Sequence, residues 1–231
     1  MRKSQAFETP RTQITELIDA LCTKLSDFGL YFRGYTSLSV STYCNLPPVG
    51  RKQISDALSF ALALMNSAPK NMAYSTLDAF LIGKACQSLN LRLPENFTKS
   101  IQSGDIVEIY DLVTQTQVYR NFEFLRNSSY DLLTVCVTPY PELFAREEGF
   151  EEKILERTRE ITLNGHNTEP WNVPNHHLVE KLDGRHRKFF LKLGLIAPVY
   201  NSNTGERVAW ASTIQVVSLG SAYPTPNVVQ L

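Results

Sequence analysis

The chain has 231 residues, with 23 Lys and Arg against 23 Asp and Glu, so its formal charge at pH 7 is zero with histidine neutral. Hydrophobic residues make up 43 % and charged residues 20 %, the balance of a globular protein with a core, not of a disordered segment. There is no basic surplus for a general nucleic-acid coat and no apolar run long enough for a membrane-spanning helix, so neither partner is expected.

Residues 11–28 set Ile14, Leu17, Ile18, Leu21, Leu25 and Phe28 three and four apart, which predicts an amphipathic helix stopped by Gly29. From residue 30 to 49, Tyr31, Tyr35, Leu38, Val40 and Tyr43 predict short extended pieces, closed by Asn45-Leu-Pro-Pro48. A second helix is expected over 51–66, with Ile54, Leu58, Leu62 and Met65 on one face and Ala57 and Ala61 beside them. A third begins near Ser75, a good cap, with Asp78 favourable to the exposed N-terminal amides and Leu77, Phe80, Leu81 and Ala85 turned inward. A polar loop around Asn90 and Pro94 follows.

After Gly104 the apolar period falls from 3.6 towards two. Residues 105–110 and 117–120 predict a hairpin around Thr114–Thr116. The stretch 122–144 suits either helix or buried strand. Over 147–161, Phe150, Ile154, Thr158 and Ile161 share a helical face, and mixed charges cover the rest. A loop rich in Asn, Gly, Pro and His spans 163–176. Then 178–182, the Asp183-Gly184 turn, 188–199, a polar turn at 201–205 and 207–219 predict a three-stranded antiparallel meander. Phe189, Leu191, Leu193, Leu195, Ala197 and Val199 form one face of its middle strand. On the last strand Val208, Trp210, Ile214 and Val216 share a side, with Ser212 interrupting.

Hairpin, helical stretch and meander, in that order, resemble a PAS-type sensor domain over residues 104–219. The best local match is Ala197-Pro-Val-Tyr-Asn-Ser-Asn-Thr-Gly-Glu-Arg-Val-Ala-Trp210, where such domains turn from their fourth strand into their fifth. The resemblance implies a five-stranded antiparallel sheet with helices between its second and third strands. It also implies sensing, ligand binding or partner association. The expected fold class is therefore α+β, a PAS-like antiparallel sheet with flanking helices. Residues 1–103 would form a helical N-terminal extension, 104–220 the PAS-like domain and 221–231 a tail.

Chemical motifs are sparse. His166, His176, His177 and His186 are all the histidines; they lack HExxH spacing, and His176 and His177 would face opposite sides of a strand, so no metal site is expected. Cys22, Cys44, Cys86 and Cys136 form no CxxC pair, and Met1-Arg2-Lys3 leads into Ser4, Gln5, Glu8 and Thr9 with no apolar h-region, which predicts a cytoplasmic protein with reduced, mostly buried thiols. No GxSxG elbow or phosphate-binding glycine loop occurs, so no catalytic residue or cofactor is assigned. Arg185, Arg187 and Lys188, in the one compact basic run, are candidates to contact an anion. Phe122, Phe124, Leu132, Val135, Leu191, Leu193, Trp210 and Ile214 are candidates to line a pocket for a small organic ligand on the sheet.

The function expected from these features is that of a non-enzymatic cytoplasmic sensory or protein-interaction module, acting on a protein partner or as a homodimer. Two alternatives stand beside it. A small-molecule enzyme would need His176 or His177 and a carboxylate to converge in a concave pocket. A structural adaptor would present an exposed apolar helix face without a cavity.

Overall fold

The computed structural model describes residues 9–114, 116–163, 171–173, 175–182 and 187–221. Helix α1 (Pro10–Ser26) carries Pro10 in its first turn, where a missing N–H costs nothing, and Thr9 Oγ1 accepts from Thr12 N at 3.3 Å. Ile14, Ile18, Leu21 and Leu25 are its buried stripe. Gly29, at φ +76°, turns the chain so that Leu30 N reaches Leu25 O at 3.1 Å.

Helix α2 (Ser37–Asn45) stands where the sequence predicts extended pieces. Thr36 and Ser39 form a reciprocal capping box, and Val40 and Tyr43, one turn apart, are both buried. Val and Tyr favour strands, but a satisfied helix start and a buried i,i+3 pair outweigh that preference here. Helix α3 (Pro48–Ser67) starts on Pro48 and is longer than predicted. Arg51 NH1 donates to Cys44 O at 3.1 Å and Leu46 O at 2.7 Å, which closes the end of α2.

Helix α4 (Tyr74–Ser88) follows the predicted third helix, and Asp78 lies on its buried side. The expected polar loop contains β1 (Leu91–Arg92) and α5 (Glu95–Ser100). The predicted hairpin forms from β2 (Asp105–Asp111) and β3 (Gln117–Arg120). The ambiguous stretch resolves into α6 (Glu123–Asn127), α7 (Leu132–Val137), α8 (Tyr140–Leu143) and β4 (Phe144–Arg146). After α9 (Phe150–Leu163) come β5 (Trp171–Val173), β6 (His176–Glu180), β7 (Arg187–Asn201) and β8 (Arg207–Ser221). The last three are the predicted meander. The Asp183-Gly184 turn lies outside the described residues, as does the expected 221–231 tail apart from Ser221, which ends β8.

The chain forms two compact units, neither continuous in sequence. One combines the residues up to Tyr74 with Tyr130–Tyr140; the other combines Ser75–Ser129 with the chain from Pro141 onward, so the boundary expected after residue 103 falls inside it. In the first unit α1 packs on α2 and α3, and α7 joins α2. Leu132 N and Leu133 N donate to Arg33 O and Gly34 O, each at 3.0 Å. Gly34 is needed for the close approach, since a Cβ there would lie 2.7 Å from Ile18 Cγ2.

The second unit is built on an antiparallel sheet in the order β3-β2-β8-β7-β6-β4. Strand β2 pairs β8 over its whole length, from Asp105 opposite Gln215 to Asp111 opposite Ala209, which joins the hairpin to the meander. β6, β5 and β1 pair with successive stretches of the same long strand, β7. The pairing of β7 with β8 slips between Lys192 and Leu195, so the strict alternation expected along β7 breaks there and both Ile196 and Ala197 are buried. Gly194 sits in the slip because a Cβ would come within 1.6 Å of Thr213 O.

Candidate functional site

One face of the sheet holds a run of polar and aromatic side chains beneath α9. Strand register sets them side by side: Ile196, Ser212 and Glu108 lie in one row across β7, β8 and β2, and Pro198, Trp210 and Tyr110 lie in the next. The rings of Tyr110 and Trp210 stack at 4.4 Å and 12°. From α9, Phe150 and Ile154 pack on Ile196 and Trp210.

Beside them is a nearly dry ion pair. Glu108 Oε1 accepts from Arg120 Nε at 2.8 Å and from its NH2 at 2.7 Å, with the two side chains 10 % and 14 % exposed. Gln117 Nε2 and Tyr110 Oη complete the donors around that carboxylate. The Arg120 guanidinium lies 4.3 Å over the Phe124 ring. Phe124 meets Phe144 edge-on, and Phe144 meets Phe189 in the same way, so the apolar layer continues towards β6.

Within this surface two polar atoms are buried without a hydrogen bond among the described residues: the Trp210 indole Nε1 and the Ser212 hydroxyl. Ser212 is 3 % exposed. Arg157 on α9, one turn beyond Ile154, also has a buried Nε with no hydrogen bond among the described residues, while its NH1 donates to Glu160 Oε2 at 2.5 Å. Buried polar groups are nearly always bonded, because an orphan keeps the full cost of leaving water. Trp210 Nε1 and Ser212 Oγ, two residues apart on β8, are two such atoms among the described residues.

The candidate pocket residues divide. Leu191, Trp210 and Ile214 share this face, and Phe124 lies over it beneath Arg120; Phe124 and Leu191 are buried, Phe122 half-buried. Leu132 and Val135 are on α7, which belongs to the other unit. The Leu193 side chain is outside the described residues.

The basic run fares differently. Arg185 and His186 lie outside the described residues. Arg187 NH1 donates to Asn127 O at 2.8 Å and its backbone N–H to Glu180 Oε2, which makes it part of the frame. Lys188 is half-buried.

On β6 the two adjacent histidines face opposite sides, as their spacing predicts. His176 is buried, stacked on Phe150 at 4.0 Å and bonded to Arg146 NH1 at 2.8 Å. His177 Nδ1 bonds the Glu147 carboxylate, whose pKa that contact lowers, but both side chains are substantially exposed. A histidine and a carboxylate do meet, then, at the surface and away from the Trp210 row. Among the described residues no three His, Cys, Asp or Glu side chains group as metal ligands. Among the described residues no cysteine forms a disulfide; Cys86 is buried and Cys22, Cys44 and Cys136 are half-buried, which corrects the expectation of mostly buried cysteines.

Sequence reading assigned neither Glu108 nor Ser212 to a site. The signal for Ser212 was present: one hydroxyl interrupting an otherwise apolar strand face. Comparison of the chain with protein-family models, with curated proteins and with solved structures found no match in any of the three.

Proposed function

We propose that the sheet unit is a PAS-like sensory module, non-enzymatic and cytoplasmic, in which a small organic molecule binds between α9 and the sheet. Binding then alters the packing of α9, and the change is read by a protein partner or a second copy of the chain. The observation that carries this reading is the pair of orphaned polar atoms, Trp210 Nε1 and Ser212 Oγ, buried side by side under α9. The PAS-like part draws support from element order: helices α6 to α9 fall between the second and third of five antiparallel strands, β2, β3, β6, β7 and β8, and the first pairs with the last. Short strands β1, β4 and β5 are additions to that plan.

The test compares protein as purified with the same protein unfolded and refolded in clean buffer. The sensory reading predicts that the purified form melts at the higher temperature and that its α9 amides exchange more slowly. Identical melting and identical exchange contradict it.

A further inference from the structure

We infer that α4 is a pH-operated cover on the β2–β3 hairpin: the neutral carboxyl of Asp78 holds it down, and loss of that proton lets it lift and bare Cys86. The inference goes beyond the small-molecule reading and does not depend on it. Its basis is an acid set into an apolar helix face. On α4, Asp78 is buried together with Leu77, Leu81, Ile82, Ala85 and Cys86.

Three groups of the hairpin face it. Asn121, just after β3, bonds the Asp78 carboxyl and is tied to β2 as well: its Nδ2 donates to Asp105 O at 2.7 Å and its Oδ1 accepts from Val107 N at 3.0 Å. Asp105, on β2 and also buried, is a second carboxyl whose charge repels that of Asp78. Tyr119, on β3, is within electrostatic reach of both Asp78 and Cys86, and its buried hydroxyl has no hydrogen bond among the described residues. From α6, Arg126 is the facing cation, and its NH1 donates to Glu123 Oε1 at 2.8 Å. A neutral Asp78 suits these surroundings. An ionised one is a charge in an apolar wall opposite another carboxylate, and lifting α4 returns it to water.

Burial accordingly pushes Asp78 up to about 6. Between the ordinary aspartate value near 4 and that value, each opening of α4 releases one proton. The opening constant therefore rises about tenfold per pH unit up to about pH 6 and is level above it.

The experiment labels the full chain with dithiodipyridine, which reacts with thiols in acid, in steps from about pH 4 to about pH 7, and locates the adduct on Cys86 by peptide mass. Rates divided by those of the urea-unfolded chain at each pH give the opening constant. The expected result is a rise of about a hundredfold from pH 4 to pH 6 and a plateau above it, with the amides of β7 and β8 opening far more rarely than α4. Asp78→Asn should hold the constant level across the range, and its melting curve establishes that it folds. Amide exchange in α4 of the parent chain should follow the same slope, so the test stands without the variant. A Cys86 opening constant independent of pH, or a rise that Asp78→Asn retains, overturns the cover. So does an opening constant in β7 and β8 equal to that of Cys86, because the sheet unit then unfolds as a whole.

Discussion

Glu108 and Arg120 sit directly opposite each other on the β2–β3 hairpin, and both are nearly excluded from water. Removing one partner leaves the other charge buried and uncompensated. Arg120→Met is therefore expected to cost about 3 kcal/mol in urea unfolding, with most of the loss recovered in the Glu108→Gln, Arg120→Met double variant. Ser212 should behave in the opposite way. Its hydroxyl is buried and unbonded, so Ser212→Ala is expected to raise the stability of ligand-free protein by about 1 kcal/mol while weakening ligand capture. A loss of stability in the ligand-free variant would show that the hydroxyl is already satisfied.

Asp78 is a third residue with a measurable consequence. Burial on α4 pushes its carboxyl up to about 6, against the lowering effects of Asn121 and Arg126. The folded chain thus holds this proton more tightly than the unfolded chain does. The stability it contributes is fully present below about pH 4, the ordinary aspartate range, and is lost as pH rises through about 6. Asp78→Asn should flatten that decline, so the variant gains on the parent as pH rises, by an amount on the order of 2 kcal/mol at pH 7. Parallel denaturation curves at pH 4.5 and pH 7 check the sign.

At the scale of elements, helix spacing was legible wherever apolar residues alone set it. The stripe of α1 reads directly from Ile14 to Leu25, and Gly29 marks its end. Helix α2 was not legible in the same way, because its stabilising groups are Thr36 and Ser39, and Ser and Thr serve loops as readily as caps. The strands of the hairpin and meander were legible from their period of two and their turns. The slip at Gly194 was not, because it depends on how closely β8 passes β7. Gly194→Ala forces that backbone apart and is expected to cost about 3 kcal/mol, read as a lowered urea midpoint. The site was half legible: Phe124, Leu191, Trp210 and Ile214 followed from apolar alternation, whereas the Glu108 contact needed the register of the hairpin, and the neighbourhood of Ser212 needed the pairing of β2 with β8. These two strands are about a hundred residues apart, and local pattern carries no record of such a pairing.

At the scale of the whole molecule, the chain passes between its two compact units after Tyr74, after Ser129 and after Tyr140. Glu180, fully buried, accepts from Ser128 Oγ at 3.0 Å, Ser129 N at 2.7 Å and Ser129 Oγ at 2.5 Å. Lys181 donates from its backbone N to Leu143 O at 2.9 Å and from Nζ to Pro141 O at 2.7 Å. Glu180→Ala strands the Ser128 and Ser129 donors and is expected to cost about 3 kcal/mol, with hydrogen exchange accelerating at Ser128 and Ser129 before the rest of the sheet unit.

In the proposed reading a small molecule sits at Trp210 and Ser212 beneath α9. Native mass spectrometry of the full chain, purified without any added small molecule, addresses it most directly. The account predicts a reproducible excess over the polypeptide mass, one small molecule per chain, released on unfolding and reduced in Ser212→Ala. A polypeptide mass with no excess in independent preparations, together with an unchanged spectrum for Ser212→Ala, would contradict it.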